Sequence, residues 1–406
     1  MIKKIPASKL IPGMFVHDLN ASWIPHAYEK IHQRGMVKSE KTIEKALKLG
    51  VKTVYIDTEK GLDDADGVPE AVVAQETQEK LEALKAQVTE VDNPTSVKEE
   101  MAFAHQVHEE AKTLVNQVMH NVKLGQRIEL DTVETLADGL LGSVFRNKDA
   151  LSCLGRIRQK DRYLLEHSVN LSVLMSVFGK AREVERATLH KAVVGALLHD
   201  IGKVMVPNTV LQKPSRLSDQ EFEKMKAHAT YSHDLLMSTP GISDLTIQVA
   251  SQHHERMDGS GYPNGLKGDE ICTYGRMVAI VDVYDAITAD RCYHKGMPPT
   301  SALKKLLEWS GGHLDPMLVQ EFIRCVGIYP VGSLVRLKSD HLGIVVEQHE
   351  SHHETPVLIE MYDAKFNHYL PAKTLDLSTT TSQQTIVGAV NPSKYNIDVN
   401  RFLRAL

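Results

Sequence analysis

The sequence predicts a mainly α protein: a helical domain over residues 130–330, preceded by a small α+β module (1–65) and followed by a small β-rich unit (331–406). Three observations carry this reading. Apolar residues recur with the helical 3.6-residue period from about Leu130 to Val326, with Gly and Pro at the breaks. The opening stretch is short and punctuated, and after Tyr329-Pro330-Val331-Gly332 apolar and polar residues alternate as half-buried strands require. A chain of 406 residues also exceeds one ordinary core, so several modules are expected.

In chain order, Leu10-Ile11-Pro12-Gly13-Met14-Phe15-Val16 reads as a turn into a strand, and Thr53-Val54-Tyr55-Ile56-Asp57 as a second strand. Ser39 to Leu49 between them is expected to be helical, closed by Gly50 as a C-cap. Residues 66–129 read as an acidic linker and an amphipathic helix, with Pro94 marking the break. Ser96-Val97-Lys98-Glu99 has capping-box spacing, and Val107, Ala111, Leu114, Val115, Val118, Met119 and Val122 share one helical face. The simpler reading packs that stripe on the chain's own helices; a dimerising helix is the alternative. Ser333-Leu334-Val335-Arg336-Leu337, Gly343-Ile344-Val345-Val346 and Val357-Leu358-Ile359-Glu360-Met361 are the strand candidates of the last unit.

Composition narrows the function classes. A formal charge of -5, from 47 basic and 52 acidic residues, argues against polymeric nucleic acid held by counterion release, but not against a small anion. Cys153, Cys272, Cys292 and Cys325 are scattered at neither disulfide nor metal spacing, which points to a reducing compartment. No apolar segment follows Lys3-Lys4, and no run approaches the ~20 apolar residues of a membrane span, so a cytoplasmic protein is expected. Twenty histidines stand out, and their placement decides what they mean.

Ala196-Leu197-Leu198-His199-Asp200-Ile201-Gly202-Lys203 delivers an imidazole and a carboxylate straight after an apolar run, with Lys203 one turn on. Both groups are costly to bury, and a metal ion could neutralise them there. The dipeptide alone is common, and a lone core histidine is usually just hydrogen-bonded; its neighbours change the meaning. His228 falls on a helix expected from Asp219 to Met237. Adjacent His253 and His254 would point about 100° apart on a helix, so they serve one site only where two metals or a helix end lie between them. Asp282 sits inside Met277-Val278-Ala279-Ile280-Val281-Asp282-Val283-Tyr284-Asp285-Ala286, where an unpaired carboxylate costs on the order of several kcal/mol and calls for a cation. His167, in Leu165-Glu166-His167-Ser168-Val169-Asn170, offers a further imidazole on an apolar helix. Gly259-Ser260-Gly261-Tyr262-Pro263 reads as a tight turn with Tyr262 as a lid or packing residue.

The order His167, His199-Asp200, His228, His253-His254, Asp282 resembles the HD superfamily of metal-dependent phosphohydrolases. His254-Glu255-Arg256-Met257-Asp258-Gly259-Ser260-Gly261-Tyr262-Pro263 is similar to the extended signature of the HD-GYP family. Gly265, Ile271, Asp282-Val283-Tyr284-Asp285-Ala286 and Gly312-His313-Leu314-Asp315-Pro316 fit its other segments. The likeness spans about residues 130 to 330. It implies an HD-type helical bundle and a phosphodiesterase that opens a 3′,5′-cyclic dinucleotide, cyclic di-GMP or the related 3′,3′-cyclic GMP-AMP, to a linear dinucleotide. By the same likeness His167, His199, Asp200 and Asp282 would hold one divalent metal ion and His228, His253 and His254 a second. Asp200 would bridge them, and a hydroxide between the metals would attack phosphorus. Lys203 and Asp200 are the catalytic candidates, Lys203 contacting the phosphate or helping to protonate the leaving 3′-oxygen; Tyr262, Arg291, Lys295 and Lys203 are the substrate contacts.

Members of the family with three metals carry a Glu four residues before the first ligand histidine. Tyr163 stands there and the neighbouring Glu166 faces elsewhere, so two metal ions are expected. Donors of nitrogen and oxygen without thiolate favour iron or manganese. Where the family reads Arg-Pro-Tyr and a basic residue, this chain reads Arg291-Cys292-Tyr293-His294-Lys295, which leaves guanine against adenine open. The resemblance ties the Gly261-Tyr262-Pro263 loop to substrate access or to partners carrying a GGDEF domain. Through Ser8 to Val16 and Val51 to Asp57 it ties the N-terminal module to a domain of unknown function, regulatory or oligomerising, which keeps a homodimer in view. The competing reading is a non-catalytic cyclic-dinucleotide sensor or partner-binding module, against which the intact His199, Asp200 and Lys203 weigh.

Overall fold

The structure is a computed structural model that describes residues 1–20, 34–48, 50–85, 94–157, 163–213, 215, 217–290, 296–349, 355–379 and 384–406. At the N-terminus β1 (Ile2–Pro6), β2 (Phe15–Asp18), β3 (Gly35–Met36), α1 (Glu40–Lys48), β4 (Thr53–Asp57) and β5 (Val68–Pro69) form a small α+β unit. Its antiparallel sheet runs β3-β2-β4-β1-β5 over a core that includes Ile5, Met14, Val16, Val54 and Ile56. Strand β1 is not apparent from sequence, because Lys3 and Lys4 break its apolar pattern. Pairing with β4, from Ile2 opposite Asp57 to Pro6 opposite Thr53, makes it a strand.

The stretch read as linker carries α2 (Glu70–Lys85), and α3 (Val97–Lys123) follows. The Ser96–Glu99 capping box is formed in both directions and starts α3, a device worth about 1 kcal/mol. Val107, Ala111, Val115, Val118 and Val122 are buried, and α3 packs on α4 (Leu130–Arg146), α5 (Lys148–Arg156) and α6 (Tyr163–Ala181). The apolar stripe therefore finds its partners within the chain.

The helical core continues with α7 (Arg186–Leu198), α8 (Asn208–Leu211), α9 (Asp219–Met237), α10 (Asp244–Gln252), α11 (Thr273–Thr288), α12 (Pro299–Trp309) and α13 (Pro316–Val326). Helices α6 and α11 are apolar over most of their circumference and run through the middle, touching each other and, between them, α7 and α10. They hold the candidate site. The C-terminal strands β6 (Leu334–Leu337), β7 (His341–Glu347), β8 (Val357–Asp363), β9 (His368–Asp376) and β10 (Ile386–Ala389) form an antiparallel sheet of order β10-β6-β7-β8-β9, and α14 (Val399–Leu403) closes the chain against α5 and β7. Val335, Leu337, Val345 and Leu358 join this sheet to the helical core. The whole is thus a mainly α domain with a small α+β unit before it and a small β unit after it. Among the described residues no helix is long and apolar enough to cross a membrane.

Candidate metal centre

Two helix ends and three helix faces build the site. Helix α7 stops at Leu198, so His199 caps it and Asp200 starts the turn that carries Lys203. Helix α10 stops at Gln252, leaving His253 as its cap and His254 just beyond. The adjacent histidines thus sit at a helix end. His167 on α6 and Asp282 on α11 face each other, and His228 comes from the middle of α9. Gly202 lets α9 approach: a Cβ there would stand 2.1 Å from the His228 carbonyl oxygen. The Gly202 amide donates to Ser232 Oγ (2.9 Å), which donates to the His199 carbonyl (2.7 Å), locking α9 to the His199–Asp200 turn.

These side chains converge. His167, His199, Asp200, His228, His253, His254 and Asp282 are all buried. One donor atom from each of His167, His199 and Asp282 lies within 4.8 Å of the others, as do those of His228, His253 and His254, and those of His199, Asp200 and His253. The third set ties the first two together. Asp200 Oδ2 is 3.1 Å from His199 Nε2, and Asp200 Oδ1 is 3.4 Å from His228 Nε2 and 4.0 Å from His253 Nε2.

Backbone geometry selects the imidazole tautomers. Nδ1 of His199, His228 and His253 lies 2.8, 2.7 and 2.7 Å from the carbonyl oxygen three residues earlier, of Ala196, Met225 and Ala250. A carbonyl only accepts, so Nδ1 carries a proton and Nε2 is the ring nitrogen that faces inward. His167 differs: its Nδ1 is 2.7 Å from Asp285 Oδ2, and its Nε2 is 3.0 Å from Asp282 Oδ1.

Charge separates the groups further. Burial opposes the charge on His167, yet its hydrogen bonds to Asp282 and Asp285 prevail and lift it to about 9. Burial instead pushes His228 down to about 4, and His253 and His254 well below the usual imidazole range. Burial also opposes the charge on Asp200, but His199 and Lys203 hold its carboxyl well below the usual carboxylate range. His199 Nε2, Asp200 Oδ1 and Asp282 Oδ2 are buried without a hydrogen bond of good geometry, an arrangement that costs free energy unless something else binds there. Imidazole and carboxylate donors on those atoms fit divalent cations.

Around this centre Lys203 Nζ lies 2.5 Å from Asp200 Oδ2, so its ammonium rests on the shared carboxylate. The Tyr262 ring centroid stands 4.7 Å from that of His254 and 6.2 Å from that of His228, at the edge of the second set. Glu255 accepts the amides of Asn264 (2.7 Å) and Leu266 (2.9 Å) and so shapes the Tyr262 loop. Arg291 and Lys295 lie outside the described residues, as does the side chain of Tyr163. Glu166 is turned away from the centre and lines a separate cavity with His105, His108 and Leu403. Sequence reasoning missed Asp285 and Asn170. Asn170 donates to Asp285 Oδ1 while Asp285 Oδ2 holds His167, so the pair orients that imidazole. The available signal was spacing: Asp285 is one helical turn from Asp282, and Asn170 one turn from His167.

A helical core in which a His-Asp doublet joins two buried donor sets defines a metal-binding protein of the HD type. The HD domain family matches residues 153–318, and a family described as a domain of unknown function matches residues 2–133. Over 394 residues the chain is 36% identical to a cyclic di-GMP phosphodiesterase of Pseudomonas aeruginosa, covering 96% of this chain and 92% of that protein. A 3′3′-cGAMP-specific phosphodiesterase of Vibrio cholerae is 33% identical over 174 residues, 42% of this chain and 37% of its own length. A solved HDG"Y"P protein of Bdellovibrio bacteriovorus matches 79% of this chain and 98% of its own at 19% identity and a TM-score of 0.47. The chain belongs to the HD-GYP family, and its HD domain implies dependence on divalent metal.

Proposed function

We propose that this protein is a metal-dependent phosphodiesterase that hydrolyses a 3′,5′-cyclic dinucleotide, cyclic di-GMP or 3′,3′-cyclic GMP-AMP, to the linear dinucleotide. The observation that carries this is the buried Asp200 carboxylate, within 4.0 Å of imidazoles from both donor sets. The Pseudomonas relative, alike over nearly the whole chain, supports the substrate class.

In this reading His167, His199, Asp200 and Asp282 hold one ion and His228, His253 and His254 the other, with Asp200 shared; iron or manganese suits such donors. Two bound divalent ions would supply positive charge for the phosphate oxygens and acidify water at neutral pH. The protein's own part is positional. Main-chain carbonyls aim His199, His228 and His253, Asp285 aims His167, and burial keeps bulk water from competing for them. Lys203 brings a cation to the shared carboxylate, where it can meet a phosphate oxygen or give a proton to the leaving 3′-oxygen. Tyr262 bounds the substrate side, and Arg291 and Lys295 are proposed as phosphate contacts. A GGDEF-domain partner would meet the exposed outer side of the turn, at Ser260, Asn264 and Gly265, and a homodimer would use a face other than the α3 stripe.

The test is direct. The full chain is loaded with manganese or iron without oxygen, incubated with each cyclic dinucleotide, and the products are separated. Linearisation of at least one, lost in Asp200→Asn, is expected. Survival of both substrates at full metal content would leave a sensor.

A further inference from the structure

We infer that the N-terminal unit is a working part of the site: its Gly50–Lys52 turn fixes the loop that sets Tyr262 beside the metal centre, with Lys52 as a positioning residue acting through Asp258. This rests on the proposed phosphodiester hydrolysis for its effect on turnover, but not for its geometry.

The turn that leads from α1 into β4 reaches the signature loop both directly and through His313. Lys52 Nζ lies 2.5 Å from Asp258 Oδ2. The Gly50 carbonyl accepts from His313 Nε2 at 3.0 Å, and the His313 carbonyl in turn accepts the Met257 amide at 3.0 Å. Gly50 has φ +76°, and a Cβ on it would stand 2.8 Å from Arg256 Nη1 and 3.3 Å from Ser260 Oγ, so the turn packs against side chains of the loop. The positive φ favours glycine at this turn.

The contact is transmitted along the loop. Asp258 Oδ1 accepts the Ser260 amide (2.9 Å) and hydroxyl (2.7 Å), so the residue Lys52 grips also closes the turn. Two residues on, the Tyr262 amide donates to the His254 carbonyl (3.1 Å), and the Tyr262 ring lies against the His254 imidazole. Lys52 is therefore linked to the second donor set through Asp258, Ser260 and Tyr262. A second contact, Lys45 to Asp219 at 3.0 Å, joins the same unit to the start of α9 without touching the loop, and supplies a control.

The experiment compares Lys52→Ala, Lys52→Arg and Lys45→Ala in the full chain. Amide hydrogen exchange is followed first in the metal-free protein, then kcat and KM in the metal-loaded protein. Lys52→Ala should exchange the Met257, Gly259 and Tyr262 amides roughly two- to fivefold faster, the range of a partly exposed ion pair, with α6 and α11 unchanged. It should raise KM by a similar factor, Lys52→Arg should restore both, and Lys45→Ala should alter neither. Unchanged loop exchange in Lys52→Ala, an equal change in Lys45→Ala, or faster exchange with KM unaltered would each overturn the inference. The exchange result needs no substrate, so it stands apart from failure of the hydrolysis itself.

Discussion

His167 and His228 are equally deep in the protein, yet burial has opposite outcomes for them. His167 lies between the carboxylates of Asp282 and Asp285, which outweigh its desolvation and lift it to about 9. His228 meets other imidazoles and only the shared Asp200, and burial drives it to about 4. One half of the centre thus brings its own negative charge. The other consists of neutral donors, of which His228 and His253 are aimed by main-chain carbonyls, while His254 Nδ1 lies 3.4 Å from Asp282 Oδ2. His167 therefore depends on outer carboxyl and amide partners, whereas His199, His228 and His253 are aimed by backbone that mutation of side chains leaves alone.

Substitutions can break this contrast, beginning with the group both halves use. Asp200→Asn should empty both halves and lower kcat/KM by more than the roughly hundredfold that loss of an outer partner can cost. Metal analysis and product assay read it together. One half at a time comes next. Asp282→Asn and His254→Ala should each cost about one bound ion per chain, measured by elemental analysis; loss of both ions in either variant would mean the halves are not separable.

Asp285→Asn should act on the first half alone, weakening one of two metal-binding steps by about 10- to 100-fold in a titration while the other is untouched. The smallest effect falls outside the centre. Burial, with Arg256 nearby, lowers His313 from 6.5 to about 4. A histidine depressed in the folded state adds stability that is present above pH 6.5 and lost as pH falls towards 4. His313→Gln should flatten that part of the stability–pH curve, measured by denaturant unfolding.

The same contrast separates what was legible in the sequence from what was not. His199, Asp200 and Asp282 were legible because each polar group interrupts an apolar run, where burial demands a reason. The α3 cap and stripe were legible because they are local. Strand β1 was not, since Lys3 and Lys4 hide a segment that only pairing with β4 defines. Asp285 stands in the Asp282–Ala286 motif, but its partnership with His167 is not legible there, because that contact joins α6 to α11 across the fold. The grip of Lys52 on Asp258 is longer in range still, and no periodicity announces it.

Anomalous diffraction from metal-loaded crystals tests the shared-carboxylate centre most directly. Two peaks about 3.5–4 Å apart, one on either side of Asp200, are expected. A single peak, or two beyond bonding reach of that carboxylate, would contradict it.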